Sequence, residues 1–131
     1  MRSELVISID FDGVIVEDAW PEVGDIIPGA CETIKKWHDV DGHWIVINSC
    51  RTGDELEAMI GVLNYYEIPV DAINENPTWR ILKYGTDPRK IGADIYIDDH
   101  NIEQCRFKVD GSIWGRYAWI VERYMRGTPD A

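Results

Sequence analysis

Leu5-Val6-Ile7-Ser8-Ile9-Asp10-Phe11-Asp12-Gly13-Val14 joins a short, β-branched apolar run to two carboxylates spaced i, i+2 and a glycine. A continuous apolar run of this length predicts a strand buried on both faces of a parallel sheet. Side chains alternate along a strand, so Asp10 and Asp12 lean to one side if extended geometry persists through Phe11. Two carboxylates at the carboxyl end of a central strand repel each other and are costly to desolvate. A cation that neutralises them, or shared proton-transfer work, makes such a pair tolerable, and both describe an active site.

Ala93-Asp94-Ile95-Tyr96-Ile97-Asp98-Asp99 repeats the pattern: a short apolar strand that ends in two acids. A parallel sheet would bring its carboxyl end beside Asp10 and Asp12, at the rim where open α/β folds bind ligands. Oxygen-rich sites of this kind favour Mg²⁺, held by a few carboxylates together with waters and a phosphate.

The hydrophobic period switches between strand-like and helix-like along the chain. After the first strand, 17–28 is expected to be a loop or small flap, broken by Pro21, Gly24 and Pro28. Ala30, Ile34, Trp37 and His38 recur at helical spacing and predict a helix from Gly29 to about Asp41. Trp44-Ile45-Val46-Ile47-Asn48-Ser49 is a second buried strand. A helix follows from about Gly53 to Tyr66, with Leu56, Met59, Ile60 and Leu63 as its apolar stripe and Thr52 and Glu55 at capping-box spacing. A third strand is expected over 69–73, an irregular stretch with one short helix over 74–89, and a fourth strand over 94–97. A last helix over 112–125 would bury Ile113, Tyr117, Ile120, Val121 and Tyr124, and the end from Gly127 is expected to be loose. Alternation of this sort implies one α/β domain spanning 1–131, with a mostly parallel sheet between helices on both faces: a three-layer, Rossmann-like α/β/α sandwich.

The 131 residues suit a single domain, and a 45% apolar content is ordinary for a globular chain. A net charge of −11 argues against a nucleic-acid backbone or an anionic membrane as the main partner. It makes metal assistance more plausible for a phosphorylated substrate, which the protein field alone would repel. Three cysteines, Cys31, Cys50 and Cys105, match no zinc spacing and follow no secretory signal, so free thiols in a reducing cytoplasm are expected. No apolar run approaches a membrane span. The six tryptophans are core residues by default, except Trp20 in the flap.

With the motifs in place, the chain resembles the haloacid dehalogenase superfamily of phosphohydrolases. Asp10-Phe11-Asp12-Gly13-Val14 resembles its first motif, Ile45-Val46-Ile47-Asn48-Ser49 its second, Lys90 the lysine of its third, and Ile95-Tyr96-Ile97-Asp98-Asp99 its fourth. The resemblance implies that Asp10 is a nucleophile attacking phosphorus to form an aspartyl-phosphate. It implies that Asp12 is the general acid and base. It implies Mg²⁺ held by Asp10, the backbone carbonyl of Asp12, and Asp98. Ser49, the amides of the Ser49-Cys50-Arg51 loop and the following helix N-terminus would bind phosphate, with Lys90 balancing charge. Lys83 is the rival to Lys90. Asp99 would hold a metal-bound water, pair with Lys90, or cap a helix. Arg51 would bind either a substrate anion or an exposed carboxylate. Ser49 could instead be a strand-end hydroxyl bonded to backbone, and Cys50 a small buried thiol. No role is assigned to His38, His43 or His100.

In this superfamily a cap domain usually selects the substrate, and neither insertion point here has room for one. A capless site takes a phosphate on a small molecule, takes one exposed on a large molecule, or is closed by a neighbouring copy in a homo-oligomer. Trp20 and the Asn76-Pro77-Thr78-Trp79 loop are the candidates for closure. The expected function is Mg²⁺-dependent phosphomonoester hydrolysis. The alternatives are a phosphotransferase and a non-catalytic phosphate-binding or regulatory module.

Overall fold

A computed structural model of the chain describes residues 5–75, 93–98 and 113–126. Four strands form a parallel sheet: β1 (Val6–Asp10), β4 (Trp44–Asn48), β5 (Ala72–Ile73) and β6 (Ile95–Ile97), in the order β5-β4-β1-β6. Two more, β2 (Val16–Ala19) and β3 (Glu22–Ile26), pair as an antiparallel hairpin beside the sheet. The helices are α1 (Ala30–Lys35), which continues as a wider π-type turn over Lys36–Val40, α2 (Gly53–Tyr65) and α3 (Ile113–Arg126). This is the small α/β sandwich that the alternation implies, a parallel sheet flanked by helices.

β1 lies at the centre because it is apolar on both faces. Val6, Ile7, Ser8 and Ile9 are all at most 1% exposed. On one face, Ile7, Ile9, Ile45, Ile47 and Ile97 join Ala30, Ile34, Met59, Leu63, Ile113, Trp114 and Val121 in a single core. All three described helices contribute to that face. On the other face Val6, Val46 and Ala72 form a smaller buried cluster.

Long-range side-chain hydrogen bonds pin the strand register at the edge remote from the carboxylates. His43 Nδ1 accepts the Leu5 amide at 3.2 Å, so this buried histidine is a register pin. Asp94 accepts the Val6 amide and Asp71 the Ile45 amide, each at 2.7 Å. Because a one-residue slip would turn every side chain to the wrong face, such pins also fix which residues reach the opposite rim.

Several expectations are corrected. The flap over 17–28 contains a β-hairpin with a cis Trp20–Pro21 bond. Gly24 is required there, since a Cβ would lie 2.1 Å from the Glu17 carbonyl oxygen across the hairpin. The third strand is shorter, only Ala72–Ile73. The helix after β4 starts at Gly53, but Thr52 makes no side-chain cap, so the capping box is not formed. Ile60 and Tyr124 are exposed, whereas Trp114, outside the expected stripe, is buried. Trp114 packs edge-on against Tyr117 at 4.9 Å and donates its indole N–H to the Val14 carbonyl at 3.0 Å. Trp119 joins Trp20 as an exposed tryptophan. The expected short helix over 80–84 and the tail from 127 lie outside the described residues.

Candidate active site

At its carboxyl end β1 pairs Asp10 with Asn48 of β4 on one side. On the other side Ile9 pairs with Ile97 of β6, so Asp10 and Asp98 are the next residues on adjacent strands. Neighbouring strands lie about 4.8 Å apart, which makes the two aspartates neighbours on the rim. Beyond Asp10 the chain turns sharply. The Phe11 carbonyl accepts the amides of Val14, Ile15 and Val16 at 2.9–3.3 Å, and Gly13 adopts φ 83°, which favours glycine. Phe11 is fully buried in the core, and its two flanking aspartates are each only partly buried.

An open cleft of about 430 Å³ lies over this rim, lined by Asp10, Phe11, Asp12, Asn48, Ser49, Cys50 and Asn74. The structure thus gathers Asp10, Asp12, Ser49 and Cys50, residues from two chain segments, around one space. Asp98 follows the next strand of the same rim. Lys90, Asp99, the rival Lys83 and His100 lie outside the described residues.

Arg51 has a definite place. Its side chain is 1% exposed, so its partner is no freely exposed carboxylate. Its Nε donates to one Asp12 carboxylate oxygen and its Nη2 to the other, both at 2.7 Å. Nη2 also donates to the Glu22 carbonyl at 2.8 Å. Nη1 donates to the carbonyls of Pro21 at 3.1 Å and Glu55 at 3.3 Å. These five bonds match the five N–H donors of a guanidinium. The Trp20 ring covers the group at 5.0 Å and the Phe11 ring lies 5.7 Å from it. Hydrogen bonding to Asp12 holds the guanidinium pKa above its ordinary value despite burial, with charge attraction from Asp12, Glu55 and Asp18 in support. Arg51 therefore stays charged and ties the turn after β1, the hairpin tip and the start of α2 into one cluster.

The loop after β4 is internally braced. The Ser49 amide donates to the Asn74 side chain at 2.8 Å, and the Arg51 amide donates to Ser49 Oγ at 3.0 Å. Two of the three loop amides expected to bind phosphate are thus engaged within the protein. The Ser49 hydroxyl accepts from Arg51, which leaves its hydrogen to donate. Cys50 is exposed on the cleft rather than buried. Asn48 donates to Ser8 Oγ across the two central strands. Asn74, to which the sequence motifs assign no role, lines one side of the cleft. Its signal is an Asn directly after a strand, a residue that tolerates the left-handed φ of 57° found here.

Among the described residues, no group of three or more His, Cys, Asp or Glu side chains is gathered closely enough to hold a metal. Asp10 and Asp98 are neighbouring carboxylates at the rim, and both oxygens of Asp12 are bonded to Arg51. Among the described residues, no helix is long and apolar enough to cross a membrane.

No family model matches the chain, and no curated protein matches it. A solved structure, a conserved protein from Bacteroides thetaiotaomicron, is similar with a TM-score of 0.69 and 28% identity. The match covers 88% of this chain and 93% of that one.

Proposed function

We propose that the chain is a Mg²⁺-dependent phosphomonoesterase of the haloacid dehalogenase type, acting through Asp10. The observation that carries this is the convergence on one cleft of Asp10, Asp12 and the Ser49-Cys50 loop, at the carboxyl rim of a parallel sheet. That is the position at which open α/β sheets hold ligands. The order of the four sequence motifs supports it.

The donor set suits a hard cation. Mg²⁺ is commonly held by one or two carboxylates with waters and a substrate phosphate, and needs no cage of three acidic side chains. Asp10 and Asp98 would supply the carboxylates. Asp12, its side chain taken by Arg51, would supply only its backbone carbonyl. When bound, the metal would neutralise charge between the acids and an incoming phosphate.

In this reaction a carboxylate oxygen of Asp10 attacks phosphorus and forms an O–P bond. The bond from phosphorus to the leaving oxygen breaks, and Asp12 protonates that oxygen. Water then attacks phosphorus and gives a proton to Asp12. The second O–P bond breaks, releasing phosphate and restoring the Asp10 carboxylate. The Ser49 hydroxyl donates to a non-bridging phosphate oxygen.

One observation favours the non-catalytic phosphate-binding alternative: both carboxylate oxygens of Asp12 are held by Arg51. Hydrolysis of p-nitrophenyl phosphate, with and without Mg²⁺, for the wild type and Asp10→Asn separates the two. Metal-dependent turnover lost in the variant supports the enzyme. Absence of turnover in the wild type supports the binding module.

A further inference from the structure

We infer that Arg51 is a positioning residue for Asp12 and couples its aim to the tip of the β2–β3 hairpin. This rests on the reading of Asp12 as the acid and base of a phosphatase.

Three observations meet in Arg51. Its Nε and Nη2 hold both oxygens of Asp12 at 2.7 Å, which fixes the rotation of the carboxylate as well as its place. Its Nη1 and Nη2 reach the backbone carbonyls of Pro21 and Glu22 at the hairpin tip. Trp20, between them and β2, is 57% exposed and lies over the guanidinium. One cation therefore serves two clients, a carboxylate beside the cleft and a loop that faces solvent. Because a guanidinium is planar and rigid, a shift of the tip that keeps its two bonds must rotate the fork that holds Asp12. Loss of the tip bonds would leave the buried guanidinium with Asp12 and the Glu55 carbonyl as its acceptors. A substrate group that presses on Trp20 thereby acts on Asp12 without touching it. Among the described residues the hairpin tip and Trp20 are joined to Asp12 through Arg51, so leaving-group selectivity is assigned to Trp20 and the tip.

The test is a cycle of variants assayed with p-nitrophenyl phosphate and with glycerol phosphate. The first leaving group departs readily, so Asp12→Asn retains measurable turnover; the second needs a proton. Arg51→Lys keeps the charge and removes the fork, and Trp20→Ala frees the tip. In the wild-type background each is expected to lower kcat for glycerol phosphate roughly 10–100-fold, with KM little changed, and to lower turnover of p-nitrophenyl phosphate less, through the shared hydrolysis of the aspartyl-phosphate alone. In the Asp12→Asn background neither causes a further loss on p-nitrophenyl phosphate. Equal losses with and without Asp12 mean that Arg51 is only structural and overturn the inference while the phosphatase reading stands. A wild type inert toward both esters overturns the phosphatase reading and the inference with it.

A second measurement is independent of turnover. The Arg51 Nε–H should give a slowly exchanging resonance that disappears in Asp12→Ala and shifts in Trp20→Ala. A resonance indifferent to Trp20→Ala overturns the coupling to the hairpin.

Discussion

Arg51 meets Asp12 through two parallel hydrogen bonds of 2.7 Å, and the arginine is the more deeply buried partner, 1% exposed against 23%. The asymmetry predicts unequal variants. Removing one partner of a buried pair typically costs 3–5 kcal/mol, because the other charge is left unpaired. Arg51→Ala also leaves three backbone carbonyls without their donor and should lose roughly that amount in urea denaturation. Asp12→Ala strands the more deeply buried charge, with only carbonyl acceptors left to it, and should lose more. Equal losses would mean that the depth of the stranded charge contributes little.

Trp114 supports the site from beneath. Its indole N–H is bonded to the carbonyl of Val14, in the turn that follows Asp12, and its ring lies 5.7 Å from that of Trp37. Trp114→Phe keeps much of the apolar volume and strands a buried acceptor. The expected cost is about 1–3 kcal/mol in thermal or chemical unfolding. Faster amide exchange at Val14 to Val16 should accompany it.

The two described cysteines should react differently. Cys50 is exposed on the cleft. Burial pushes the Cys31 thiol up, Glu32 adds to this, and Lys35 opposes it. Since the thiolate is the nucleophile, iodoacetamide should modify Cys50 well before Cys31, as read by peptide mapping. Inorganic phosphate with Mg²⁺ should slow modification of Cys50 and leave Cys31 unchanged. Slowing of both, or of neither, would place the phosphate elsewhere.

His38 should give stability a small pH dependence. Burial opposes its charge, but hydrogen bonds to Asp39 at 2.8 Å and Asp71 at 3.3 Å outweigh that and raise its pKa above the ordinary value. The protonated form thus favours the folded state. Its contribution is fully present below the unfolded value, about 6.5, and is lost as pH rises through the raised folded value. The wild type should exceed His38→Gln in stability at about pH 5.5, and the gap should close by about pH 8.5. A gap that widens with pH would contradict this.

What the sequence made legible follows the range of the interactions. The strand-end acids announce themselves locally, because an apolar run that stops at Asp10 and Asp12 has few structural uses. Their meeting with Ser49 and Cys50 follows from parallel order alone. Sequence alone leaves Arg51 between a substrate anion and an exposed carboxylate, because its partner lies 39 positions away and its burial depends on a hairpin that composition marks only as a loop. Trp20-Pro21 and Gly24 signal breaks in structure, and nothing in their spacing tells a turn within a hairpin from a flap. Thr52 and Glu55 have capping-box spacing, yet the Glu55 carbonyl is drawn to Arg51 and Thr52 forms no cap. Trp119 lies on the outer face of α3 between Arg116 and Arg123, at 4.4 and 4.7 Å, and aromatic content alone does not distinguish it from the buried Trp114.

The central claim is that Asp10 carries the phosphoryl group. The most direct measurement is acid quenching of the protein during turnover of a radiolabelled phosphoryl donor with Mg²⁺, followed by peptide mapping. The account predicts a hydroxylamine-sensitive acyl phosphate on the peptide that holds Asp10, absent from Asp10→Asn and absent without metal. Turnover with no label on Asp10, or a label that persists in Asp10→Asn, would contradict it.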